Sequence, residues 1–123
     1  MKLHIILFLL ILLTPYSALA QCYSQVEGEA DQGIRIHSEL MVIGLNCQEM
    51  GKRHGLDLYG DYRTFTAKHA NLFAKYEEIL MSFYQKNGKS PKEGLNDLRT
   101  SYANAISRKV ADMRPDIFCS KHA

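Results

Sequence analysis

The sequence has no closely spaced pair among its three cysteines, Cys22, Cys47 and Cys119. Without a C-x-x-C spacing it lacks the simple thioredoxin-like redox motif and the attachment motif of c-type haem. A structural zinc site needs four ligands at short, paired spacings, and the sequence offers no such set. It also lacks G-x-S-x-G, H-E-x-x-H and a glycine-rich phosphate loop. We therefore predict a protein that is not an enzyme and carries no metal or cofactor.

The sequence also lacks a large excess of charge of either sign. The chain has 15 Lys and Arg against 13 Asp and Glu, and the two signs are interleaved. Binding driven by phosphate contacts needs a strong positive charge, so we predict no nucleic-acid partner. No low-complexity segment and no internal repeat is present.

A single long apolar run occurs, near the start of the chain. Lys2 precedes it, the run covers residues 3–13, Pro15 follows, and small residues stand at Ala18 and Ala20. This arrangement is typical of a secretory signal peptide, whereas a membrane-spanning helix needs about 20 apolar residues. We predict cleavage after Ala20, no membrane span in the mature chain, and a periplasmic or secreted location.

The remaining sequence predicts an all-α fold, because no segment shows the period-two alternation of a strand. We expect a loose N-terminal arm over residues 21–33 and a helical domain over residues 34–123. The domain is predicted to be a small bundle of three main helices with a disulfide-pinned C-terminal tail. The first helix has an apolar stripe at three- and four-residue spacing. Its members are Ile36, Leu40, Ile43, Cys47 and Met50.

Two further helices follow the same reasoning. A heptad-like seam predicts a second helix over residues 61–86, ended by Asn87-Gly88. The seam comprises Tyr62, Phe65, His69, Leu72, Tyr76, Ile79 and Phe83. The third helix begins at Ser90 with Pro91 at its first position and Glu93 as the partner of a capping box, and it ends before Pro115. Its stripe comprises Leu95, Leu98, Tyr102, Ile106, Val110 and Met113.

The residues around each cysteine indicate which two form a disulfide. Cys47 lies on the first apolar stripe and Cys119 follows two apolar residues in the tail, so a disulfide between them would hold the tail on the central helix. Pairings of Cys22 with Cys47 or with Cys119 are the alternatives. The preferred pairing leaves Cys22 as a free thiol or as the partner of an intermolecular disulfide.

Four features are candidates for binding or regulatory sites. His69 lies on the second seam, and a buried neutral histidine there would make stability sensitive to pH. Asn104 and Arg108, one helical turn apart, can form a polar patch on the third helix. The tyrosines can line a pocket for an apolar or haem-like ligand. His54 can pair with Cys47 on a metal, although that use would compete with the disulfide.

Three segments resemble a group of small exported proteobacterial proteins of unknown function: IRIHSELMVIGLNCQ (34–48), YANAISRKV (102–110) and IFC (117–119). The resemblance implies a periplasmic or secreted location and supports the pairing of Cys47 with Cys119. It implies no activity, and Cys22 falls outside it. The predicted function is binding of another protein or an envelope component; the alternative is a carrier of a small apolar or haem-like ligand.

Overall fold

The computed structural model of the chain describes residues 22–123, so the predicted signal peptide, residues 1–20, lies outside the described residues. The described part forms five helices and no strand. The helices are α1 (Gln25–Arg53), α2 (Leu58–Lys68), α3 (Ala70–Lys86), α4 (Pro91–Met113) and α5 (Pro115–His122). The prediction of an all-α bundle with three main helices, α1, α3 and α4, is confirmed. None of the helices in residues 22–123 has the length and apolar character of a membrane span.

The prediction of a loose arm is wrong for residues 25–33, which are the first turns of α1. Ser24 caps the helix: its hydroxyl accepts a hydrogen bond from the Glu27 amide at 3.2 Å, and Glu27 accepts one from the Ser24 amide at 2.7 Å. This reciprocal pair satisfies two amides that would otherwise lack partners. Tyr23 anchors the start of the helix, because its ring lies 4.7 Å from that of Phe83.

The predicted second helix is divided in two at His69, whose backbone leaves the helical conformation (φ −108°, ψ 20°). The interruption shifts the buried register of α3 relative to the predicted seam. Phe73 and Leu80 are buried, whereas Leu72 is 43 % exposed. The structure therefore places α2 as a separate short helix, and none of its own residues is fully buried.

The core consists of two clusters along α1. The first joins the N-terminal half of α1 to α3 and the start of α4, through Ala30, Ile34, Leu80, Phe83, Tyr84 and Leu95. The second joins the C-terminal half of α1 to α4 and α5, through Val42, Cys47, Ile106, Val110, Phe118 and Cys119. Because both clusters include α1, this helix is the centre of the bundle.

The tail predicted after Pro115 is a helix, α5, that packs on α1 and α4. Arg114 separates α4 from α5 with a positive φ of 67°, which turns the chain back towards α1. Phe118 is fully buried, whereas Ile117 is 40 % exposed, so only Phe118 docks on the bundle. Pro91 takes the first position of α4 as predicted, but Ser90 makes no side-chain capping bond.

Candidate functional site

The predicted disulfide is present. Cys47 in α1 is bonded to Cys119 in α5, with Cα atoms 5.4 Å apart and a separation of 72 in sequence. The two alternative pairings are therefore wrong, and Cys22 is an exposed free cysteine. Because its sulfur is bonded, Cys47 cannot act as a metal ligand or nucleophile together with His54. The described residues contain no group of three or more His, Cys, Asp or Glu side chains positioned to hold a metal ion.

His69 does not occupy the core position predicted for it. It is half-buried at the junction of α2 and α3, and its ring lies 4.8 Å from the ring of Phe65. The helix break explains the difference, because it removes His69 from the seam and lets Phe73 take the buried position.

His37 is the histidine inserted between helices, and the sequence pattern did not single it out. Its ring lies 4.8 Å from Phe73 on α3 and 5.6 Å from Tyr62 on α2. Burial lowers the pKa of His37; nearby Arg99 lowers it further, and Glu77 raises it. Arg99 and Glu77 themselves form an ion pair between α4 and α3. The sequence gives only a weak signal that His37 is buried, because His37 stands next to Ile36 and is not itself on the predicted apolar stripe.

The predicted polar patch lies on the surface of α4. Asn104 and Arg108 are both exposed on α4, and neither side chain makes a hydrogen bond or ion pair within residues 22–123.

Two of the tyrosines make hydrogen bonds between helices. Tyr102 donates a hydrogen bond to Asp31 at 2.6 Å, and burial raises its pKa because the charged form would be desolvated. Tyr76 donates to Glu29 at 3.1 Å. These two hydroxyls fasten α4 and α3 to α1.

An open apolar cleft lies between α1 and α2, beside the end of α5, with a volume of about 300 Å³. Asp61 and His122 are its polar lining side chains. Its other main lining residues are Leu40, Ile43, Gly44, Leu58, Tyr62 and Phe65. The lining contains no nucleophile paired with a base, so its chemistry is that of apolar contact with one acidic group.

Local sequence determines how closely the two walls of the cleft approach. Gly44 lies under the first turn of α2, where a Cβ atom would stand 3.4 Å from the Leu58 carbonyl oxygen. Gly44 thus permits the close approach of α2 to α1. Asp57 caps α2 by accepting a hydrogen bond from the Gly60 amide at 3.1 Å. The cap and the glycine together set α2 against α1 along one side of the cleft.

The part of the α1 stripe that borders this cleft is only partly covered, and Ile43 also packs against the second core cluster. We define the open stripe as Ile36, Leu40 and Ile43, which share one face of α1 at spacings of four and three. Ile36 is 48 % exposed, and Leu40 and Ile43 are half-buried. On the facing wall, Phe65 is 38 % exposed. The sequence predicted burial for all four side chains, and the fold leaves them accessible.

Comparison of the chain with protein-family models, with curated proteins and with solved structures finds no match in any of the three.

Proposed function

We propose that this chain is an exported, non-enzymatic helical module that binds another protein through the apolar cleft between α1 and α2. The observation that carries the proposal is the open stripe. Ile36, Leu40 and Ile43 have the spacing of a buried helix face, yet Ile36 is 48 % exposed and Leu40 and Ile43 are only half-buried. Exposed apolar surface bordered by polar residues is typical of protein interaction sites.

The location in the proposal, periplasmic or secreted, has two supports. One is the signal-peptide pattern of residues 1–20, together with the resemblance to small exported proteins. The other is the disulfide between Cys47 and Cys119, because such bonds persist mainly in oxidising compartments.

A second candidate is a carrier of a small apolar ligand, favoured by the volume and the lining of the cleft. About 300 Å³ is at the lower limit of typical small-molecule pockets. Protein binding is the better supported candidate, because the apolar surface continues beyond the cleft to Ile36 and because a carrier needs to enclose most of its ligand.

The test is site-specific photo-crosslinking in the host cell, with a photoreactive residue at position 36 or position 45. Leu45 is the matched control, since it is 51 % exposed and lies nine residues from Ile36, on the opposite side of α1. We expect a discrete crosslinked protein from position 36 and none from position 45. Equal crosslinking at both positions, or none at position 36, would contradict the proposal.

Native mass spectrometry of the exported protein tests the carrier candidate. A bound small molecule that is lost under denaturing conditions, and whose retention depends on Ile43, would favour the carrier. The unmodified chain mass alone would leave protein binding as the better candidate.

A further inference from the structure

We infer that the occupant of the cleft is an amphipathic α-helix of a partner protein, carrying a lysine or arginine that meets Asp61. This inference rests on the proposed function and specifies the partner for the same site. It is drawn from the spacing of the open stripe, the composition of the two walls and the single acidic lining residue.

The open stripe is long enough to contact about two turns of a partner helix. Ile36 and Ile43 are seven residues apart, which corresponds to about two turns and roughly 10 Å along the α1 axis. Phe65 on α2 forms the opposite wall, so the surface is a groove between two helices rather than a flat patch. A partner helix with apolar residues at i, i+3 or i+4, and i+7 presents a matching ridge over the same length.

Other recurring modes of peptide recognition fit this surface less well. Addition of a β-strand requires an exposed sheet edge, and residues 22–123 form no strand. Proline-rich segments bind grooves lined by aromatic rings. Here Tyr62 and Phe65 stand on the α2 wall only, and the α1 wall is aliphatic through Leu40 and Ile43.

The charge of the lining distinguishes a foreign helix from a second copy of this chain. Asp61 lines the cleft, and its side chain makes no ion pair within residues 22–123. The lining contains no lysine or arginine, so two copies paired through their clefts would offer Asp61 only the imidazole of His122 and no permanent cation. A basic residue on a partner helix supplies that charge, which sets orientation and partner choice more than affinity.

The experiment selects peptides from a displayed library on the disulfide-bonded exported protein. The library contains amphipathic, proline-rich and unpatterned 18-residue peptides in equal numbers. The baits are the wild type, the stripe variant Ile36→Lys, its matched control Leu45→Lys, and the charge reversal Asp61→Lys. Phe65→Ser on the opposite wall is a second cleft variant, and circular dichroism verifies that each bait is helical.

We expect the wild type to enrich amphipathic peptides with apolar residues at i, i+3 or i+4, and i+7 and a nearby lysine or arginine. Enrichment should be lost with Ile36→Lys and Phe65→Ser and retained with Leu45→Lys. In fluorescence anisotropy, Asp61→Lys should weaken the best basic peptide by about fivefold, the scale of one exposed ion pair. Asp61→Lys should also strengthen the same peptide when its basic residue is replaced by glutamate.

The other outcomes separate this inference from the proposed function. Enrichment of proline-rich or unpatterned peptides that depends on Ile36 would overturn the helix and leave the binding function intact. Amphipathic peptides whose charge preference survives Asp61→Lys would overturn the ion pair. A dimer in sedimentation that Ile36→Lys abolishes would make a second copy the occupant and overturn the foreign helix. No enrichment dependent on either cleft variant would contradict both proposals.

Discussion

Reduction of the disulfide is predicted to remove much of the stability of the fold without unfolding it. The bond between Cys47 and Cys119 joins positions separated by 72 in sequence. In the chain-entropy model, a closed loop of this length contributes about 4 kcal/mol, because the crosslink restricts the unfolded chain. A domain of this size has a total free energy of unfolding of about 5 to 15 kcal/mol.

The packing of α5 decides whether the reduced protein stays folded. Phe118 is fully buried between α1 and α4, and truncating a buried phenylalanine typically costs about 3 to 5 kcal/mol. This contact does not depend on the sulfur bond, so α5 should remain docked at 25 °C after reduction. Local opening of residues 115–122 should nevertheless become more frequent.

The assay is urea unfolding of the Cys22→Ser protein with and without reductant, since the substitution removes the one thiol that can exchange with the bond. For a slope of roughly 1 to 2 kcal/mol per molar urea, the midpoint should fall by about 2 to 4 M. Hydrogen exchange should show its largest loss of protection in α5. A change in unfolding free energy below about 1 kcal/mol would refute the reasoning. So would loss of all helical structure on reduction.

Three further predictions concern α1 and Cys22, which lies two residues before the N-cap of α1. Burial lowers the pKa of His37, so the contribution of its neutral side chain to stability is present above pH about 6.5 and is lost as pH falls from there through the folded-state pKa. His37→Gln should therefore flatten the pH dependence of the free energy of unfolding in urea between pH 7.5 and pH 5, and an unchanged profile would contradict this. In thermal unfolding, Gly33→Ala should destabilise the protein by about 1 to 3 kcal/mol, because a Cβ atom at this position would overlap the Tyr76 ring. The control Gly28→Ala, where a Cβ atom would meet nothing within 4 Å, should stabilise the protein by up to about 1 kcal/mol. Cys22 should be the single site of maleimide labelling in the folded, non-reduced protein, as seen by mass; a second adduct would show that the disulfide is incomplete.

Local sequence signals predicted much of the fold but not the start of α1. The pattern Ser-x-x-Glu occurs twice, at Ser24 and at Ser90. The structure forms the reciprocal capping box at Ser24, where the sequence analysis expected a loose arm, and no side-chain cap at Ser90. Tyr23 helps to explain the choice, because its contacts with α3 and with Asp31 hold the start of α1 in place.

The candidate site was less predictable than the fold. The residues of the open stripe were identified from their spacing but interpreted as core. The spacing of the seam predicts His69 rather than His37 as the core histidine, because periodicity alone does not reveal the helix break. Once α2 is a separate helix, His37 contacts both α2 and α3, and the cleft opens between α1 and α2.

The sequence by itself determined the all-α class, the breaks at Gly88 and Pro115, and the preference for pairing Cys47 with Cys119. These features depend on residues that are neighbours in the chain or on a stripe that one helix presents. Only the tertiary structure decided which part of that stripe is buried. Burial depends on where the other helices end and cross, so Cys47 lies under α5 while Ile36, on the same predicted face, is 48 % exposed.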